Sequence, residues 1–226
     1  MNEVPPATVA GNAATVKAKA GRVIVVGSAK GGTGKSTAAM HLIVSLLHEG
    51  LKVGSIDLDT PQQTLSRYIE NRRAPARHRA RALPVPNHLA FPEADVDKRR
   101  LEDDLRKLLA TCDAVVIDTP GSDTELSRWA HALADTVITP INDSFVDLDL
   151  LAVLEPKTLT FRRLGPFGQG VEEARGRRRH SGGGELEWIV LRNRLTSLEA
   201  HNKARLADAL AALSGRLDFR QGQGLS

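Results

Sequence analysis

The chain has 226 residues, 41% of them hydrophobic and only 4% aromatic, with 31 Lys and Arg against 27 Asp and Glu. That length suits one α/β domain, or one domain plus a tail, with a core built from Val, Ile, Leu and Ala. The one cysteine, Cys112, excludes internal disulfides and a cysteine metal site within the chain, and no apolar run approaches the ~20 residues that span a bilayer.

Residues 1–20 lack the apolar stretch of a signal peptide, which predicts a flexible tail, a domain from 21 to 226 and a cytoplasmic protein. Arg22 to Gly27 is an apolar run ending in glycine, read as a buried strand. A glycine-rich segment follows, and Ser36 to Glu49 then carries Met40, Ile43, Val44 and Leu47 at helical spacing until Gly50 stops it. Lys52 to Asp57 reads as a second strand and Thr60 to Arg73 as a helix. Residues 74–95 hold four prolines and many arginines, which predicts a loop or insertion.

Val96 to Thr111 is a charged amphipathic helix with Leu101, Leu105 and Leu108 on one face. Asp113 to Asp118 is a third strand, with Cys112 a core residue just before it. Thr124 to Leu133 reads as a helix, Thr136 to Pro140 as a fourth strand and Val146 to Leu154 as a helix. Residues 162–184 are rich in glycine and arginine without periodicity, which predicts a long surface loop. Glu187 to Leu191 is a fifth strand, Leu198 to Leu213 a helix, and Arg216 to Phe219 the start of another strand. Strands alternating with helices imply an α/β fold with an open, mostly parallel sheet flanked by helices.

Two groups of arginines stand out: Arg72, Arg73, Arg77, Arg79 and Arg81, then Arg175, Arg177, Arg178 and Arg179. The plain reading is solvated loops; contact with nucleic acid or an acidic protein is the alternative.

The segment Lys30-Gly31-Gly32-Thr33-Gly34-Lys35-Ser36-Thr37 lies between a predicted strand and a predicted helix, the context a phosphate loop requires. Gly31, Gly32 and Gly34 permit backbone angles closed to other residues, so successive N–H groups converge on phosphate oxygens. The start of the following helix adds its dipole. Lys35 neutralises β/γ-phosphate charge, Ser36 offers a hydroxyl to Mg²⁺, and Thr37 offers one to the α-phosphate. The ligands expected are therefore a nucleoside triphosphate and Mg²⁺.

Asp57 and Asp59 lie at the end of the second strand, on the edge where α/β proteins bind ligands. Asp59, in the loop beyond, is placed to orient or polarise the attacking water, with helix capping as its structural alternative. Asp118 ends Val115-Val116-Ile117 and is followed by Thr119-Pro120-Gly121. A carboxylate there suits Mg²⁺ through water, and the Gly121 N–H suits a γ-phosphate sensor. A buried acid with no such partner is costly.

A second lysine inside the loop, Lys30, with Ala29 where the plain pattern has its first glycine, resembles the deviant P-loop of the ParA/MinD ATPases. The resemblance implies that Lys30 reaches across a face-to-face dimer to the partner's nucleotide; spacing alone shows only a cation beside phosphates. Asp59 then matches the acid that handles the water, and Asp57, Asp59, Asp118 and Gly121 the switch positions. The stretches Ile138 to Asp147 and Trp188 to Leu195 look like the MipZ branch of that group, over roughly residues 22 to 224.

That likeness implies a slow ATP hydrolase and an ATP-dependent homodimer. The expected partners are a ParB-like protein, nonspecific DNA and FtsZ, whose assembly it would inhibit, and no membrane. The expected location is a nucleoid-associated polar gradient. It also implies that Asn193 reads the adenine edge, where a turn role is the alternative, and that Arg194, Lys203, Arg205, Arg216 and Arg220 form a DNA-contacting face. A ParA-type partition ATPase and a nonhydrolytic interaction module are the competing readings. The chain stops at Gly222-Gln223-Gly224-Leu225-Ser226, where that family continues through further helices, so a C-terminally shortened domain is expected.

Overall fold

A computed structural model describes residues 21–76, 83–91, 98–155, 157–193 and 200–225, without the side chains of 75, 76, 200–203 and 223–225. The expected tail at 1–20, together with Arg77, Arg79, Arg81 and Arg194, lies outside the described residues, and of Lys203 only the backbone is described.

In chain order the elements are β1 (Arg22–Val26), α1 (Lys35–His48), β2 (Val53–Asp57), α2 (Thr64–Ala76), β3 (Asn87–Ala90) and α3 (Lys98–Thr111). Next come β4 (Ala114–Asp118), α4 (Glu125–Leu133), β5 (Thr136–Asn142), α5 (Phe145–Leu151), β6 (Ala152–Leu154) and β7 (Phe161–Leu164). The chain then forms α6 (Pro166–His180), β8 (Glu187–Asn193), α7 (Ala200–Leu217) and β9 (Arg220–Leu225). Seven strands form one sheet in the order β3-β2-β4-β1-β5-β8-β9, and every pairing in it is parallel. The chain winds outward from β1 through β2 to β3, then returns to β4 and continues past β1 to β5, β8 and β9. The connections therefore part at the adjacent ends of β1 and β4, which is where such sheets form a ligand crevice.

β2 and β4 are buried along their whole length, as expected of central parallel strands covered on both faces. One face carries a core of Val26, Ala39, Ile43, Val53, Leu65, Ile69 and Val116 under α1 and α2. The other carries the larger core, in which Leu101, Leu105 and Leu108 of α3, Val171 of α6 and Leu210 and Leu213 of α7 pack on Val115, Ile117, Val137 and Trp188. Trp188 is fully buried and donates its indole N–H to Thr139 Oγ1 at 2.9 Å, with the Arg175 guanidinium 5.8 Å from its ring centre. Trp129 on α4 is half-buried, its indole N–H 3.4 Å from Glu102 on α3. Cys112 is buried in the core, as expected. Among the described residues no helix is long and apolar enough to cross a membrane.

Four expectations are corrected. The 74–95 segment contains β3, an edge strand paired to β2 from Gly54↔Asn87 to Asp57↔Ala90. The helix expected to run to Leu154 ends at Leu151, because Ala152–Leu154 pairs antiparallel with β7. The supposed surface loop at 162–184 contains β7 and the 15-residue helix α6. Pro166 opens α6 and Phe167, Val171 and Ala174 bury one face of it. Gly168 lies where any side chain would strike the Leu151 carbonyl, so glycine here marks close packing rather than a loop. Two of the arginines are anchors, Arg175 donating to the Leu186 and Leu217 carbonyls and Arg178 to the Leu133 carbonyl and Asp135, while Arg177 and Arg179 are exposed as expected. Finally, Arg216 and Leu217 belong to α7, whose Leu210, Leu213 and Leu217 are all buried, and the last strand starts at Arg220.

Candidate functional site

β1 delivers the chain to the sheet's carboxyl edge, and the loop from Gly27 to Gly34 carries it into α1. Gly32 and Gly34 have φ of 76° and 88°, the left-handed region that glycine enters freely. Gly34 caps α1 without a side-chain hydrogen bond, and the first turn contains no acid, so its leading N–H groups and dipole are left for an anion. A cavity of about 140 Å³ over this turn is lined by Gly31, Gly32, Gly34, Lys35, Ser36, Thr37, Asp59, Gln62, Thr64 and Gly121. The phosphate residues expected from sequence thus converge, apart from Lys30, Thr33 and Asn193.

Lys35 is buried and folds back so that Nζ donates to the Lys30 carbonyl at 3.2 Å. Burial lowers its pKa, while Asp118 and Asp59 pull it back up. Thr33 is fully buried with its hydroxyl unpartnered, and its carbonyl accepts from Asn193 Nδ2 at 2.9 Å. Asn193 therefore packs on the back of the loop, so closely that a side chain at Gly34 would collide with its amide.

The ends of β2 and β4 bring three carboxylates toward the loop, and their surroundings differ. Asp57 is buried and satisfied: Oδ2 accepts from the backbone N–H and hydroxyl of Ser66 at 2.9 and 2.8 Å, and Oδ1 from Asp59 N–H at 3.1 Å. It caps the first turn of α2, so the capping role weighed for Asp59 belongs to Asp57. Asp59 lines both the phosphate cavity and a cleft of about 760 Å³ beside it. Burial, then the neighbouring Asp57, raises its pKa.

Asp118 is fully buried at the end of β4 with both oxygens unpartnered. Burial pushes its pKa up to about 7; the Ser36 hydroxyl beside it draws it down, though neither oxygen makes a regular hydrogen bond. An orphaned carboxylate beside a hydroxyl at a phosphate cradle fits Mg²⁺, which favours oxygen ligands and keeps waters between itself and protein carboxylates. Among the described residues no three His, Cys, Asp or Glu side chains come together as a metal site.

Beyond Asp118, the Thr119 N–H and hydroxyl both donate to the Val26 carbonyl, at 3.2 and 3.1 Å, tying the β4 exit to the β1 exit. Gly121 then lies on the loop: a Cβ there would be 2.8 Å from Gly31 Cα.

Lys30 does not line the phosphate cavity. Its Nζ pairs with Asp147 Oδ1 at 2.7 Å, and the side chain remains 44% exposed. Asp147, on the first turn of α5, is fully buried; its Oδ2 accepts from the Asn142 backbone N–H at 2.9 Å and side-chain amide at 3.0 Å. Sequence reasoning gave Asp147 no role, although a Ser144 cap with an acid three residues on was there to read. Of the proposed DNA residues, the three whose side chains are described do not gather on one face. Arg205 lies 5.8 Å over the Phe145 ring near the nucleotide edge. Arg216, over Phe161, and Arg220, paired with Glu187, lie at the opposite edge.

A phosphate cradle on the central strand, a second lysine in its loop and an orphaned acid on the adjoining strand define a P-loop nucleotide-binding protein of the two-lysine class. The chain belongs to the MipZ family: the family described as ATPase MipZ matches it over residues 22–226. It is 29% identical over 163 residues to the chromosome partitioning protein ParA of Myxococcus xanthus, covering 61% of this chain and 58% of that protein, so it spans under two thirds of that relative's length. Its fold is similar to a plasmid partition protein of Borrelia burgdorferi, with a TM-score of 0.61 and 21% identity over 92% of this chain and 90% of that one. It is also similar to the Mycobacterium smegmatis cobyrinic acid a,c-diamide synthase with bound ADP and magnesium, with a TM-score of 0.58 and 22% identity over 87% and 82% of the two chains.

Proposed function

We propose that the protein is an ATP-dependent dimerisation switch that helps position the division site, hydrolysing ATP slowly to end each cycle. The observation that carries this reading is Lys30, a cation in the phosphate loop that is exposed and held away from its own phosphate cavity. In the assembled state it would cross to the partner's nucleotide. The cradle and Lys35 bind the phosphates, Ser36 and Asp118 hold Mg²⁺, and Asp59 orients the attacking water. When bound, Mg²⁺ supplies neutralisation of the charge that develops on the phosphates. Asn193 supports the loop through its bond to the Thr33 carbonyl, and reading the adenine edge is the further role proposed for it.

Steric space supplies a direct test. A Cβ on Gly31 would meet nothing within 4 Å in a single chain. Gly31→Val should therefore bind ATP with wild-type affinity yet fail to dimerise, because the added bulk meets the facing loop. Light scattering with ATP, ADP and no nucleotide reads this, and a normal ATP-dependent dimer would refute the face-to-face arrangement.

The proposed targets are FtsZ, a ParB-like protein and nonspecific DNA, in a cytoplasmic, nucleoid-associated gradient. The proposed DNA-contacting residues are Arg194, Lys203, Arg205, Arg216 and Arg220, and the contacts that Arg205, Arg216 and Arg220 make within the chain would have to yield. Phosphate contacts require an affinity that falls steeply with salt. The likeness to ParA favours, as a second reading, a partition ATPase with the same chemistry. Sedimentation of FtsZ filaments separates the two, since intact filaments beside the ATP-bound protein favour partition. Phosphate release with Lys35→Ala as blank tests the nonhydrolytic alternative.

A further inference from the structure

The edge strand β3 carries a histidine outside the phosphate site, yet hydrogen bonds lead from it to Asp59. His88 is the direct cross-strand partner of Ser55, whose Oγ lies 2.9 Å from His88 Nδ1. His88 Nε2 lies 3.0 Å from Ser66 Oγ on α2. Ser66 gives both its backbone N–H and its hydroxyl to Asp57 Oδ2, and Asp57 Oδ1 accepts the Asp59 N–H.

For a neutral imidazole the protons can be placed in one consistent way. The Ser66 hydroxyl donates to Asp57, so Ser66 Oγ must accept from Nε2–H. Nδ1 is then bare and accepts from the Ser55 hydroxyl. The network thus assigns the neutral Nε2–H tautomer. Burial lowers the pKa of His88 and favours the same neutral form.

Asp59 is also held from its other side. Its carbonyl accepts from Gln62 N–H at 3.1 Å and Gln63 N–H at 2.7 Å, and Gln63 has a φ of 46°. A non-glycine residue in the left-handed region is held there by its surroundings. Both restraints on the turn end at the start of α2, the place His88 braces through Ser66.

We propose that His88 is a positioning residue: by bridging β3 to α2 it fixes Ser66, and through Ser66 and Asp57 it fixes the backbone of Asp59, without touching the nucleotide. Its catalytic consequence rests on the reading of Asp59 given under Proposed function; its geometric content does not.

The test uses the full chain with His88→Ala and His88→Gln, read by amide hydrogen exchange and by ATPase kinetics. In His88→Ala, exchange across Asp59–Gln63 should accelerate about tenfold, the scale of one lost hydrogen bond, with β1 and β4 amides unchanged. The kcat should fall by about the same factor while KM for ATP stays within about twofold, because the phosphate cradle is intact. His88→Gln, whose amide nitrogen can donate to Ser66, should restore most of both. Unchanged exchange in Asp59–Gln63 overturns the proposal, as does acceleration shared equally with β1 and β4, which would make His88 a packing residue only. If the wild-type chain hydrolyses no ATP, the functional reading fails while the exchange result still decides the role of His88.

Discussion

Replacing Asp118 with asparagine is expected to stabilise the nucleotide-free, metal-free chain while impairing Mg²⁺-dependent turnover. The carboxyl is fully buried, has no hydrogen-bond partner on either oxygen, and has its pKa pushed from 3.8 to about 7. The folded state therefore holds this proton more tightly than the unfolded state. The penalty for ionisation is absent below the unfolded value, grows as pH rises from about 4, and is complete above about 7. At pH 8 it is on the order of 2–4 kcal/mol, and asparagine removes it.

His131 acts oppositely in an overlapping window. Burial holds its pKa near 4, below the ordinary 6.5, so its contribution is complete above the unfolded value and lost as pH falls toward 4. The two groups offset one another in the wild type, and Asp118→Asn should expose the acid sensitivity due to His131. Melts in EDTA at pH 5 and pH 8 decide this: the gain from the substitution must be larger at pH 8, and an equal gain would refute the assignment. The same variant should lose roughly 10–100-fold in Mg²⁺ affinity, the usual cost of removing a group that orders a metal's shell.

Lys30→Ala is expected to abolish the ATP-dependent dimer, and Asp147→Asn to strengthen it. A charge that contacts a facing phosphate and is desolvated on assembly contributes about 2–5 kcal/mol, so its loss raises the dimer dissociation constant at least ~30-fold. Within one chain the same amine is held by Asp147, and that pair must break before Lys30 can cross. Asp147→Asn removes the competing charge and leaves a carbonyl oxygen for the Asn142 N–H groups. Because Lys30 is partly exposed, the gain is modest, about three- to tenfold in dimer affinity. Sedimentation with ATP and Mg²⁺ reads both changes. If Asp147→Asn weakens the dimer as Lys30→Ala does, Asp147 assists assembly rather than competing with it.

What was legible in the sequence followed how local each signal was. β1, β4 and β8 contain short apolar runs, β2 and β5 carry β-branched residues between turn signals, and the loop after β1 has a motif whose spacing is set by phosphate geometry. β3 was missed because Asn-His-Leu-Ala carries no apolar run, and it is a strand only because β2 offers an unpaired edge. α6 was missed because its glycines and arginines signal disorder locally, whereas their reasons are long-range: Gly168 against α5, and Arg175 against the end of α7. In the site, Asp57 and Asp59 look equivalent as letters, and only Ser66, seven or more residues away, separates a satisfied anchor from a residue facing the cleft. The Lys30–Asp147 pair spans 117 positions, a distance over which no spacing rule operates.

The two tryptophans give the molecule two optical probes of different meaning. Trp188, sealed between a threonine hydroxyl and an arginine, should emit at short wavelength and change only when the sheet comes apart. Trp129 sits on the helix that follows the Thr119–Gly121 loop, lightly tethered across to α3 by Glu102. If the proposed switch moves that loop, its longer-wavelength emission should shift, so one cuvette of unlabelled protein would report both the integrity of the fold and the proposed switch.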